Sequence, residues 1–173
     1  RLILPSVVAL FGLAADRWTK ILIEDAMQMH HVVPVIGDYA RLVLWYNKGA
    51  AFGIRLGSPW VHILLSVCAM GLVGWMLWQT PGRDRLSHIG FGLILGGALG
   101  NLYDRAVAGQ VTDFIDVGIG VYRWPTFNIA DSLVVIGFGL LVISYLLAMR
   151  AERRAAKEQT VSSEDVEPAS PTE

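Results

Sequence analysis

Four stretches of this chain stay apolar over roughly the length needed to cross a lipid hydrocarbon core, about 20 residues of helix. They cover residues 2–23, 60–78, 88–104 and 129–149. With 54% hydrophobic and only 17% charged residues in a chain of 173, too little polar surface is left to wrap such runs as a soluble domain. The expectation is an all-α membrane protein with four transmembrane helices. The first run should remain as a helix, because LAADRWTKILI carries the apolar pattern past its charges without an A-x-A-like cleavage site.

The fourteen Lys and Arg divide evenly between the two sides of such a bundle. PGRDRLS and RAERRAAKE, however, concentrate their charge beside helix ends, where the positive-inside rule is read. Both termini are therefore expected in the cytoplasm, with the connections 24–58 and 105–128 outside. Those connections hold YARLVLWYN and QVTDFIDVGIGVYRW, rich in β-branched and aromatic residues and bounded by Gly, Pro and Asn. A small β-structured platform is expected on the outer membrane face. Residues 1–157 should form one membrane domain, and 158–173, which has no apolar face to bury, a disordered cytoplasmic tail.

Several function classes drop out. A net charge of −1 without a basic stripe gives no footprint for nucleic acid. The single cysteine, Cys68, rules out an intrachain disulfide, a CxxC pair or a cysteine-rich metal site, and should be packed in the core. His30, His31, His62 and His88 do not form an HExxH-type ligand set, so no metal and no cofactor is expected. Gly92, Gly96 and Gly100 make two overlapping GxxxG steps, a close-packing signal for the third helix.

What remains costly is a set of polar residues that lipid should exclude, and such residues mark function by default. They fall in five short clusters at the outward helix ends or on the outer connections: DRWTK (Asp16 to Lys20), NKGAAF (Asn47 to Phe52), GNLYDR (Gly100 to Arg105), VTDF (Val111 to Phe114) and FNIAD (Phe127 to Asp131). Each has an ordinary explanation. Asp16 and Lys20, four apart, could neutralise one another. Asn47-Lys48-Gly49 is a turn signal. Asn128 is a suitable helix N-cap, which places Asp131 at the third helical position beside free amide donors and the positive end of the dipole.

Nucleophilic hydrolysis lacks its parts, with no GxSxG and no cysteine or outer serine beside a histidine. Carboxylates remain. Two of them held close share a proton, so that one can activate water while the other protonates a peptide carbonyl. Spacing leaves Asp16, Asp104, Asp113, Asp116 and Asp131 as candidates. If VTDFID is a strand, Asp113 and Asp116 face opposite sides and at most one looks into the site; periodicity leaves open which.

DRWTK, NKGAAF, GGALGNLYDR, VTDF and FNIAD, in that order on a four-span scaffold, closely resemble the motifs of the bacterial lipoprotein signal peptidases, or signal peptidase II. The resemblance implies a membrane aspartic endopeptidase of the bacterial cytoplasmic membrane, with its site near the outer face. Its substrate would be a prolipoprotein already carrying diacylglycerol on its lipobox cysteine, and globomycin-like compounds would inhibit it. It implies Asp113 and Asp131 as the catalytic pair, with Asp16, Lys20, Asn47, Gly49, Asn101, Asp104, Arg105, Asn128 and Ala130 as supporting positions. Among these, Asn47, Asn101, Arg105 and Asn128 are expected to position substrate, and Asp16 with Lys20 to support the structure. Membrane lipids are the other expected contact, and the protein should act as a monomer. An N-terminal helix position favours a charged carboxylate, so Asp131 is the expected ionised partner and Asp113 the protonated one. The rival readings are a small proton- or ion-coupled transporter component, using the same acids as a relay, and a lipid-binding scaffold.

Overall fold

The computed structural model describes residues 1–49 and 59–164. Residues 50–52 of the NKGAAF motif and 165–173 of the expected tail lie outside them. Four helices appear: α1 (Ile3–Ala26), α2 (Pro59–Gln79), α3 (Arg85–Ala108) and α4 (Ile129–Glu164). Between α1 and α2 come β1 (Val32–Ile36) and β2 (Ala40–Asn47), and between α3 and α4 come β3 (Val111–Ile119) and β4 (Tyr122–Arg123). The strands form one antiparallel sheet in the order β1-β2-β3-β4. The expected β platform is thus one sheet shared by both connections.

Among the described residues, three helices are long and apolar enough to cross a membrane: α2, α3 and α4. α1 is not among them, since Asp16, Arg17, Lys20 and Glu24 lower its average hydropathy. Asp16 and Lys20 are fully buried, however, whereas Ile3, Leu10, Phe11 and Trp18 stand on its exposed surface. α3 is the central helix, packed on α1, α2 and α4.

Glycine sets how closely α3 is approached. A Cβ on Gly92 would meet the Pro5 carbonyl at 2.7 Å and one on Gly96 the Ala9 carbonyl at 2.6 Å, both on α1. On the α4 side, a Cβ on Gly97 would lie 2.3 Å from the Ala130 carbonyl. The GxxxG steps therefore serve α1, and Gly97 serves α4, by letting backbones touch.

One expectation is corrected. Cys68 is exposed on α2 rather than packed in the core. In lipid an apolar residue gains little by facing inward, so hydrophobicity is not an inside signal on a membrane helix. α4 continues to Glu164, where AAKEQ supplies good helix formers and no breaker.

Candidate active site

The site forms where the end of α1, the end of α3, the start of α4 and the sheet meet. Helix α4 begins with a reciprocal cap: Asp131 N–H donates to Asn128 Oδ1 at 3.0 Å and Asn128 N–H donates to Asp131 Oδ2 at 3.2 Å. That satisfies orphan amides at the helix start, as the local sequence predicts. The other oxygen of Asp131 accepts from Asn101 Nδ2 at 2.8 Å. Capping and membership of the site are thus two uses of one carboxylate.

Asp113 arrives from β3 and is almost fully buried. Its Oδ1 accepts from Asn128 Nδ2 at 2.7 Å and its Oδ2 from Asn47 Nδ2 at 3.1 Å. Trp45 lies directly opposite Asp113 in the ladder, so Asn47, two residues on, is a same-face diagonal neighbour. Asn47 also makes the turn its sequence suggests, its Oδ1 accepting from Gly49 N–H at 2.8 Å. Burial, then the nearby charge of Asp131, push the Asp113 carboxyl up to about 7, against the hydrogen bonds from Asn47 and Asn128.

Strand alternation turns Asp116 the other way. It lies opposite Arg41 in the ladder, and its Oδ2 accepts from Arg41 Nη2 at 2.6 Å while its Oδ1 accepts from Arg123 Nε at 2.9 Å. Partial burial opposes ionisation there, but these bonds outweigh it and hold the carboxyl below its ordinary value. Asp116 is an ion-paired strand residue, and Asp113 is the one that looks into the site.

Behind the two carboxylates runs a buried polar network. Lys20 Nζ lies 2.7 Å from Asp16 Oδ2, 2.7 Å from Asp104 Oδ2 and 3.1 Å from Asn101 Oδ1. Asn101 Oδ1 also accepts from Asn128 Nδ2 at 3.1 Å, which leaves Asn101 Nδ2 to face Asp131. Asp16 Oδ1 accepts the Ala130 N–H of the first turn of α4 at 3.0 Å. A Cβ on Gly100 would lie 2.3 Å from Asp16 Oδ2, so only glycine fits there. Ala130 is itself fully buried between Asp16 and Gly97.

A cleft of about 630 Å³ opens beside Asp113 and Asp131. Asn47, Asn101 and Arg105 supply its polar wall, and Phe127, Val134 and Val135 are among its apolar lining. Asp104 turns away from it towards Lys20 and Arg17 on α1, whereas Arg105 donates to the Asn101 carbonyl at 3.2 Å. Sequence reasoning missed Arg17, whose guanidinium also stacks 4.6 Å from the Tyr103 ring, and the lining supplied by Trp124, Pro125 and Thr126.

The family model for signal peptidase (SPase) II matches residues 8–147. A lipoprotein signal peptidase of Halalkalibacterium halodurans is 39% identical over 154 residues, covering 88% of this chain and 96% of that protein. One of Solibacter usitatus is 43% identical over 157 residues, covering 86% and 92%. A solved bacterial membrane enzyme superimposes with a TM-score of 0.77 at 30% identity, over 84% of this chain and 88% of that one. With its five motifs and its polar site all falling within the matched segment, the chain belongs to the signal peptidase II family of bacterial membrane peptidases.

Proposed function

We propose that this protein removes the signal peptide from diacylglyceryl-modified prolipoproteins just before the lipid-bearing cysteine, with Asp113 and Asp131 as a proton-sharing pair that activates water. The observation that carries this is the cleft: two carboxylates from separate elements line one apolar cavity. Asp131 takes a proton from water, whose oxygen attacks the scissile carbonyl carbon, while Asp113 gives its proton to the carbonyl oxygen. Collapse of the tetrahedral intermediate breaks the C–N bond, and the departing amine takes up a proton from the pair. Asn47 and Asn128 hold Asp113, Asn101 holds Asp131, and Arg105 offers its guanidinium to the substrate backbone.

Residues 1–157 form the membrane domain, and α1 is its fourth span. At about 1.5 Å per residue its 24 residues reach the length of a hydrocarbon core, and its buried charges face the site rather than lipid. With the Arg-rich start of α3 and end of α4 in the cytoplasm, both termini lie on the cytoplasmic side of the bacterial inner membrane and the sheet lies at its outer face. There a substrate held by a signal helix and two acyl chains presents its cleavage point. The protein works as a monomer, and globomycin-like inhibitors occupy the same cleft.

Purified protein should cleave a diacylglyceryl-modified prolipoprotein peptide and leave the unmodified peptide intact; equal cleavage of both would remove the lipid from the reading. The pair needs its shared proton, so kcat/KM should fall about tenfold per pH unit above the Asp113 value near 7. The fold raises this carboxyl from 3.8 to about 7. Its contribution to stability is therefore full below the lower value and is lost as the pH rises through the upper one. Thermal unfolding of Asp113→Asn should lack that slope; a slope as steep as that of the parent would assign it to another group.

A further inference from the structure

Asp16, Lys20 and Glu24 follow one another at four-residue spacing, so they form a single stripe along α1. Each touches a different element of the site. Asp16 accepts the Ala130 N–H of α4, Lys20 donates to Asn101 of α3, and Glu24 Oε1 accepts from the Thr112 hydroxyl of β3. The first two were expected to matter from the family motifs. Glu24 and Thr112, 88 residues apart, belong to no assigned role.

Thr112 immediately precedes Asp113, and alternation sends its side chain away from the cleft, towards α1. Its carbonyl accepts from Asn128 Nδ2 at 3.2 Å, so the residue is held from both sides. Such holding is needed because the β2-β3 ladder is irregular at this point. Leu42 pairs with Ile115 and Trp45 with Asp113, three steps on β2 against two on β3. The extra residue lies on β2, where a bulge of this kind locally interrupts the ladder, and it falls opposite the stretch of β3 beside the residue whose carboxyl must be placed most accurately.

We propose that Glu24 is a positioning residue for Asp113: its hydrogen bond from Thr112 fixes the segment of β3 that faces the β2 bulge against α1 and so sets the distance of Asp113 from Asp131. α1 thereby acts as a ruler, with polar contacts to each of the three elements that build the site, α3, β3 and α4. This inference rests on Asp113 being a member of that pair.

The test is cleavage of the diacylglyceryl-modified peptide by Glu24→Ala, Glu24→Gln, Thr112→Val, Thr112→Ser and the double variant Glu24→Ala/Thr112→Val, with Asp113→Asn in parallel. Glu24→Ala and Thr112→Val should lower kcat about ten- to a hundredfold, the cost of a small misplacement of a reacting group. KM should stay within about twofold, because substrate binding is untouched. Glu24→Gln and Thr112→Ser, which keep acceptor and donor, should restore most of the rate. The double variant should be no slower than either single one, since both remove the same bond. A Glu24→Ala enzyme with parental kcat, a loss confined to KM, multiplying losses in the double variant, or a Gln variant as slow as the Ala variant would each overturn the tether. Parental cleavage by Asp113→Asn would instead remove the pair and the tether with it; an inactive Asp113→Asn beside an unimpaired Glu24→Ala would overturn the tether alone.

Discussion

Asp113→Asn and Asp131→Asn are each expected to lower cleavage of the modified peptide by at least about a thousandfold, the scale of losing an acid or base that works as part of a unit. The double variant should be no worse than either single one, because a pair that shares one proton has no function left after the first loss. The two changes differ in what they do to the fold. Asn at 113 puts an NH₂ group against one of two converging amide donors, Asn47 Nδ2 or Asn128 Nδ2, at a cost of about 1–3 kcal/mol. Asn at 131 can still accept the Asn128 N–H, but it removes the charge at the helix start and faces Asn101 Nδ2, a loss of about 1 kcal/mol. Thermal unfolding beside the assay separates chemistry from folding. Either variant, folded and cleaving at the parental rate, would take its residue out of the pair.

How much of this was legible in the sequence depended on the range of the interaction. The cap between Asn128 and Asp131 spans three residues and was readable as a local pattern; that the same carboxylate meets Asn101 is a fact of packing between α3 and α4. Alternation reduced Asp113 and Asp116 to one inward residue without choosing. The choice came from the register, which puts Arg41 opposite Asp116. Asp16 and Lys20 were visible as an i,i+4 pair, yet their real neighbours, Ala130, Asn101 and Asp104, lie more than eighty residues on. Extending that spacing one further turn would have reached Glu24, but nothing local marks Thr112 as its partner. Composition misled where lipid changes its meaning. Cys68 is apolar and exposed, while Lys20 is charged and fully buried, the reverse of the rule for water-soluble cores.

Lys20→Met should be the most destabilising single substitution in the buried network. The ammonium group lies 2.7 Å from both the Asp16 and Asp104 carboxylates, and all three side chains are buried. Methionine fills similar space but leaves two anions facing each other, and breaking a buried pair in this way costs about 3–5 kcal/mol. The effect should reach catalysis as well. Lys20 donates to Asn101 Oδ1 and so keeps Asn101 Nδ2 aimed at Asp131. Without it the Asn101 amide can turn over, and kcat should drop about ten- to a hundredfold through misplacement of Asp131. Removing the stranded charges tests the cause: adding Asp16→Asn and Asp104→Asn to Lys20→Met should recover much of the stability, since a neutral buried set is often as stable as an ionic one. It should recover little of the rate, because none of these changes restores the donor to Asn101. A Lys20→Met protein that unfolds at the parental temperature would show that Arg17, which also reaches Asp104, neutralises the network by itself. A triple variant with full activity would show that the orientation of Asn101 is set from the Asn128 side alone.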